Sequence, residues 1–155
     1  MAREHHTKNK SDLALAQAVA ALTALGYDIS IPLSEHLPYD IIADTGKRLV
    51  RIQVKHSADG TIRNATSYAT KAGNHEVRYQ DGDFEYYALY LPDVQRVVFP
   101  AFHFGGRRIK FVAPKNGNKF LWYEDFLDLT DEAPEWSHKT FKGRCAGIGQ
   151  SGAVC

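Results

Sequence analysis

The sequence has 155 residues, of which 44% are hydrophobic and 24% are charged, and its formal net charge at pH 7 is +1. This length suits one domain with a sizeable core, and the composition is that of an ordinary folded protein. No apolar stretch approaches the ~20 residues that span a bilayer, and no apolar secretory segment follows the N-terminus. The near-zero net charge gives no global sign of a nucleic-acid binder. We therefore expect an intracellular, cytoplasmic protein.

Cysteine and histidine usage argues against two classes of enzyme. Cys145 and Cys155 lie in a Gly-rich tail, where we expect reduced thiols. A serine or cysteine hydrolase is not expected, because both cysteines are in this tail and no nucleophile-elbow motif is present. A zinc site is not expected either, since His5 and His6 lie in a terminal arm and no Cys/His spacing fits.

The first predicted element is a helix over residues 11–25. Residues 1–10 are polar and basic, which favours a flexible arm. Ser11 is a good N-cap, Asp12 lies in the predicted first turn, and Gly26 ends the helix as a C′ residue. Apolar residues at helical spacing mark the face that packs on the core: Leu15, Val19, Leu22 and Leu25.

A strand is predicted over 27–31, and the stretch 37–55 has the pattern of a β-hairpin. Pro38 favours an extended entry, and Gly46 supplies the positive φ that a tight turn at 44–47 requires. The second hairpin strand alternates strictly, as half-buried strands do. One face carries Val50, Ile52 and Val54, and the other carries Leu49, Arg51, Gln53 and Lys55.

This hairpin is expected to bring a carboxylate, an amide and an ammonium group to one patch of the sheet. A three-residue loop is expected to set Asp40 opposite Gln53, and a two-residue loop to shift this by one place. Magnesium takes oxygen ligands, usually one or two carboxylates with waters and a substrate phosphate. A lysine such as Lys55 can orient water or stabilise developing charge. The patch indicates a metal-dependent phosphodiesterase, while charged residues are also common on half-exposed sheet faces.

These residues resemble the PD-(D/E)xK nuclease family, with Pro38-x-Asp40 and Gln53-Val54-Lys55 as its signature. More narrowly, the chain resembles the small endonucleases associated with group I introns, in which Gln commonly replaces the second acid. The segments that carry this narrower resemblance are Gly26-Tyr27, residues 32–40 and residues 51–55.

The resemblance implies a fold and a set of roles. The fold is a restriction-endonuclease-like α/β core, a mixed β-sheet flanked by helices. Asp40 and Gln53 would bind Mg²⁺, for which Mn²⁺ can substitute, and Lys55 would act on the water or the phosphate. Asp12 is either a capping acid or a further helper at the metal, and Leu15 stands where many relatives carry Glu.

The substrate implied by the resemblance is a long, specific double-stranded DNA target. Cutting both strands requires two active sites, so a homo-oligomer, a dimer or a tetramer, is expected. Local clusters of basic residues suit phosphate contacts, although solvated surfaces carry them too. The candidates are Arg51, Lys47, Arg48, Lys71, Arg107 and Arg108.

The remainder of the chain completes the predicted domain. Residues 57–82 read as a long polar loop with a short strand at 75–79, and residues 84–91 as a buried strand. The domain is predicted over 11–135, followed by a disordered tail at 136–155. Further elements expected after residue 91 are a returning strand at 96–100, one more strand at 107–112, a turn at 116–118 and a short helical segment at 122–127.

Two rival functions stay open. Another nuclease of the same fold, such as a junction resolvase or a restriction or repair enzyme, would keep the site and cut a different DNA shape. A catalytically silent DNA-binding module would keep the fold alone. Leu15 and Gln53, both uncharged where an acid is expected, are the features in favour of silence.

Overall fold

The computed structural model describes residues 6–113 and 120–129. Helix α1 is the single α-helix of these residues, and none of their helices has the length and apolar character needed to cross a membrane. The elements are α1 (His6–Ala24), β1 (Asp28–Ser30), β2 (Ile41–Asp44), β3 (Leu49–His56), β4 (Ala65–Thr70), β5 (Gly73–Arg78), β6 (Tyr86–Leu91), β7 (Arg96–Val98), β8 (Ile109–Lys110) and β9 (Leu121–Trp122). Two 3₁₀ helices are present as well, Phe102–Phe104 and Tyr123–Phe126.

A five-stranded mixed sheet forms the centre of the domain, in the order β1-β2-β3-β6-β7. Its neighbours pair antiparallel except β3 and β6, which are parallel. Parallel neighbours need a long crossover, and here the chain between β3 and β6 contains the separate β4–β5 pair. The predicted α/β class with a mixed sheet is confirmed.

Helix α1 covers one face of this sheet. Ala14, Ala18 and Leu22, spaced by four residues, are fully buried against that face. Leu22 was correctly predicted to face the core, but Ala14 and Ala18 take the places expected for Leu15 and Val19, which are only partly buried, and Leu25 is exposed. The small Ala side chains let the helix approach the sheet closely. From β3 the same core receives the inward residues that the alternation predicted: Val50, Ile52 and Val54.

The opposite face of the sheet packs on an aromatic cluster. All six residues of β6 are buried, as the apolar run predicted. Tyr87 and Leu89 point into this second core, where Phe84, Phe104 and Phe126 surround them. Phe84 meets Tyr87 edge-on, and so does Phe104 with Phe126, an arrangement favoured by the ring quadrupoles. The predicted short helical segment at the end of the domain therefore supplies Phe126 to the core.

The start of α1 differs from the prediction. The helix begins at His6, so Ser11 lies inside it and is not an N-cap. Asp12 likewise is not a first-turn acid, because the first turn holds no acidic residue. Residues 6–10 belong to the helix rather than to an arm. The predicted domain boundaries stay predictions, since residues 1–5, the turn at 116–118 and the tail at 136–155 lie outside the described residues.

The 57–82 segment is more regular than predicted. Its centre is an antiparallel pair, β4 with β5, joined by a two-residue turn at Lys71-Ala72. We call residues 65–78 the ribbon. All but Ala65 of its residues are exposed. Across the ribbon, Tyr68 stacks on its partner His75 with ring centroids 5.4 Å apart. A polar ribbon with both faces in water lacks the alternation from which strands are predicted.

The buried hydroxyl of Tyr87 gives a test of this packing. The side chain is fully buried, and its Oη has no hydrogen-bond partner among the described residues. Because an unpaired buried hydroxyl costs about 1–3 kcal/mol, Tyr87→Phe should raise the free energy of unfolding by about 1 kcal/mol. Urea denaturation measures this. The control is Tyr27→Phe, which removes a hydroxyl that donates to Asp128 Oδ1 at 2.6 Å and should not stabilise. A less stable Tyr87→Phe variant would contradict the packing described.

Candidate functional site

The β2–β3 hairpin positions the candidate site. Thr45 N donates to Arg48 O at 3.1 Å, so the loop holds two residues, Gly46 and Lys47, which is the second of the two alternatives considered from the sequence. Gly46 has φ +77°, the left-handed conformation expected of this glycine, and its N–H donates to Asp44 Oδ1 at 2.8 Å. This turn starts a ladder that ends with Ile41 opposite Ile52.

Asp40 lies one residue before that ladder. Its amide donates to Ile52 O at 2.9 Å, so Asp40 and Ile41 both face Ile52. In a β-bulge two residues of one strand lie opposite a single residue of the next, and such bulges often change the direction of a side chain beside a functional site. Here the Asp40 Oδ2 accepts hydrogen bonds from Gln53 Nε2 at 2.7 Å and from Val54 N at 2.8 Å. The expected contact with Gln53 is thus made by the side chains.

Gln53 is 9% exposed and presents its amide nitrogen to Asp40. A second, weaker bond runs from Nε2 to Val54 O at 3.3 Å. The nitrogen of this amide faces the carboxylate, because its carbonyl oxygen at the same distance would repel the Asp40 oxygen. Rotation of the terminal amide would present Oε1 instead.

Lys55 points from β3 toward the base of the ribbon. Its Nζ donates to Tyr79 Oη at 2.6 Å and, more weakly, to Ala65 O at 3.4 Å. The ammonium also lies 4.8 Å from the centroid of the Tyr79 ring, within cation–π range. Burial lowers the pKa of Lys55, and the nearby Asp40 charge partly opposes this. Tyr79 was not predicted as a site residue, since nothing local in the sequence ties it to Lys55.

A cleft of about 780 Å³ opens beside these side chains. It lies between the first half of α1, the end of β3 and the start of β4. Asp12 lines this cleft from the helix, together with Leu15, and its place beyond the first turn of α1 does not support the capping interpretation. Two lining cations were missed by the sequence reasoning, Lys10 and Arg63. The polar residues that line the cleft include Lys10, Asp12, Asp40, Gln53, Lys55 and Arg63.

The carboxylate of Asp40 is held in a poorly hydrated position. Burial raises its pKa, while the Val54 N–H and the charge of Lys55 act in the opposite direction. Because the raising effect is the larger, the ionised form is not fully compensated by its neighbours. A cation bound in the cleft would supply the missing compensation.

The donor set fits a magnesium ion that keeps waters and takes substrate oxygens. Among residues 6–113 and 120–129 no three His, Cys, Asp or Glu side chains are grouped for metal binding. Magnesium needs only one or two protein carboxylates, with waters and substrate phosphates for the rest. Asp40 would supply one carboxylate and Gln53 an amide oxygen after rotation, and Asp12 lies on the same cleft.

The predicted DNA-contacting residues fall in separate places. Arg51 is paired with Glu85, Nη2 to Oε1 at 2.7 Å, and Arg108 is paired with Asp59 at 2.9 Å. Lys47 and Arg48 directly precede β3, at the end far from Lys55, and seven strand residues put Arg48 roughly 23 Å from Lys55. The two remaining candidates for DNA contact are also exposed. Lys71 lies in the turn of the ribbon, and Arg107 lies just before β8. No single patch holds all six.

Comparison with known proteins adds a family to this geometry. The family described as PD-(D/E)XK endonuclease matches residues 5–129. A solved structure, that of the bacterial homing endonuclease I-Ssp6803I, aligns with a TM-score of 0.64 at 20% identity, covering 78% of this chain and 88% of that one. At this identity the likeness shows the fold. No curated protein matches the sequence. Because the family match spans most of the chain, the protein belongs to the PD-(D/E)XK endonucleases.

Proposed function

We propose that the protein is a magnesium-dependent endonuclease that cuts a specific site in double-stranded DNA, of the homing type found with group I introns. The observation that carries the proposal is the contact of Asp40 with Gln53, beside Lys55, on one cleft. These are the three residues of the family signature in this chain.

The roles follow from the chemistry of each side chain. Asp40 and the Gln53 Oε1 would hold the Mg²⁺ ion, with Mn²⁺ as a substitute. The ion supplies polarisation of the phosphate and a more acidic bound water. Lys55 carries a positive charge at the edge of the cleft, where it stabilises negative charge on the phosphate or orients the attacking water. Asp12 is proposed as a helper that binds water or metal from the helix side.

DNA would be held by cations outside this cluster. The ribbon is narrow enough for the major groove, which admits a two-stranded β-ribbon, and Lys71 lies at its turn. Lys10 and Arg63 on the cleft suit the scissile phosphate region. We also propose phosphate contacts for cations of the hairpin and of the region before β8, namely Lys47, Arg48, Arg51, Arg107 and Arg108.

Cutting both strands of a duplex would require two active sites, and this requirement favours an oligomer. One chain offers one such cleft among its described residues, and two strands of opposite polarity need two. A symmetric homo-oligomer, a dimer or a tetramer, is the simplest arrangement that presents two copies of the site.

A catalytically silent DNA-binding module is the second candidate. Its support is the Gln53 amide, which already satisfies Asp40 without a metal, and the uncharged Leu15 on the cleft. Such a module would bind DNA in a salt-dependent manner and ignore magnesium. Another nuclease of the same fold would instead cut with magnesium but prefer a junction or a damaged duplex.

Plasmid cleavage tests the proposal. Supercoiled plasmid carrying candidate target sites should be linearised with Mg²⁺, and EDTA should stop the reaction. Lys55→Ala should slow cleavage by about 10²-fold or more, because it removes the charge that stabilises the transition state. Arg96→Ala, which removes an exposed cation of β7 away from the cleft, is the control and should cut normally. Tight binding of a target that is never cut, with no response to magnesium, would favour the silent module.

Asp40→Asn separates catalysis from folding. The folded-state pKa of Asp40 is raised, so its ionised form costs stability above that pKa, and this cost is relieved as pH falls. Asn removes the charge and keeps an oxygen that can accept from Val54 N and Gln53. We expect cleavage to be lost while the melting temperature at neutral pH is unchanged or higher.

The control for this variant is Asp28→Asn, an exposed acid of β1, which should change neither cleavage nor melting. Cleavage by Asp40→Asn at the wild-type rate would contradict the metal-binding role. A large fall in its melting temperature would contradict the picture of an uncompensated charge.

A further inference from the structure

The ammonium of Lys55 lies between the two legs of the ribbon. Ala65, whose carbonyl accepts from Nζ at 3.4 Å, is the first residue of β4. Tyr79, whose hydroxyl accepts at 2.6 Å, directly follows the last residue of β5. Lys55 itself belongs to β3 of the central sheet. One side chain of the signature is therefore held by both ends of an element that otherwise extends into solvent.

Tyr79 is itself firmly placed. Its N–H donates to Asn64 O at 3.0 Å, and its ring meets Phe84 edge-on with centroids 5.0 Å apart. Phe84 is buried in the second core, so the ring of Tyr79 is anchored to the sheet. Burial raises the pKa of Tyr79 to about 12, with a hydrogen bond from Thr66 acting the other way. The hydroxyl is thus neutral and able to accept from an ammonium group.

A lysine needs such a partner more than most side chains do. Its four-carbon stem is flexible. Its ammonium group is a compact point charge, without the planar set of donors that fixes the direction of an arginine side chain. Ordering it at the moment of reaction costs conformational entropy, and a group held beforehand avoids that cost. Asp40 influences Lys55 through its charge, while the hydrogen bonds from Nζ go to Ala65, the first residue of the ribbon, and to Tyr79, which directly follows the ribbon.

We propose that Tyr79 is a positioning residue for Lys55, whose hydroxyl and ring hold the ammonium group on the cleft. The proposal rests on the nuclease function given above, and it adds a physical link between the ribbon and the reaction. The tyrosine touches neither the substrate nor the metal ligands in this scheme, and it acts through the lysine. Tyr79 directly follows the ribbon, so the element proposed to contact DNA is joined to the residue that positions Lys55.

Two variants form a matched pair for the test. Tyr79→Phe removes the hydroxyl that accepts from Lys55 and keeps the ring. Tyr87→Phe removes the hydroxyl of a second tyrosine that packs edge-on against the same Phe84, at 4.8 Å, and whose Oη has no partner in the described part of the chain. Both variants lose one oxygen from the same aromatic cluster.

Single-turnover cleavage is the first readout. Tyr79→Phe should cut about 10- to 100-fold more slowly, because its catalytic group is no longer held in place. Its Kd for the DNA target should match that of the wild type. Its melting temperature should fall slightly, because the lost hydroxyl removes one partner of a part-buried ammonium group, and circular dichroism should show a folded protein at the assay temperature. Tyr87→Phe should cut at the wild-type rate. A wild-type rate for Tyr79→Phe, or a slower rate matched by an equal fold loss of DNA affinity, would overturn the proposal.

The second readout does not depend on cleavage. Lysine ammonium groups that are hydrogen-bonded and shielded exchange slowly enough to give ¹H–¹⁵N correlation signals in ¹⁵N-labelled protein. A Lys55 signal, assigned through Lys55→Arg, should be present in the wild type and in Tyr87→Phe and missing in Tyr79→Phe. Persistence of the signal in Tyr79→Phe would overturn the positioning role even if the protein cuts DNA. Failure of the wild type to cut, with these spectra as expected, would overturn the nuclease proposal alone.

Discussion

The site depends on the pair of hydrogen bonds that the Asp40 carboxylate accepts, from Gln53 Nε2 at 2.7 Å and from Val54 N at 2.8 Å. It fixes the chain that enters β2 against the strand that carries the signature lysine. Strand β3 is in turn held centrally, antiparallel to β2 and parallel to β6. The central sheet is packed on both faces, by α1 on one and by an aromatic core on the other. The three signature side chains are therefore placed by the sheet rather than by a mobile loop.

The candidate site and the ribbon lower the stability that the two cores give to the fold. A buried carboxylate whose pKa is raised by burial destabilises the fold when ionised, and a cation is what would relieve it. Lys55 shows the complementary effect, since burial lowers its pKa. Groups perturbed in opposite directions on one cleft are typical of reactive sites. The ribbon adds a second cost, because it exposes nearly all its residues and buries little that would stabilise it.

Features with strong local periodicity were predictable from the sequence. The alternation of β3, the glycine turn at Gly46 and the buried run of β6 all match the structure. The polar start of α1 was not predicted, since no cap or apolar stripe marks residues 6–10. Of the ribbon only a short strand at 75–79 was predicted, because its exposed polar residues show no apolar alternation. Tyr79, Lys10 and Arg63 meet the site only through tertiary contacts that no local pattern encodes. The direction of the Gln53 amide depends on its partners alone.

The most direct measurement is a crystal structure of the protein with target DNA and Mn²⁺, read by anomalous scattering. We predict a manganese peak within coordinating distance of the Asp40 carboxylate, with the Gln53 amide rotated so that Oε1 faces the ion and a DNA phosphate completes the site. Such a peak would join the carboxylate, the amide and the substrate in one centre. A peak elsewhere, or a Gln53 Nε2 that still donates to Asp40 beside bound DNA, would contradict the proposed metal site.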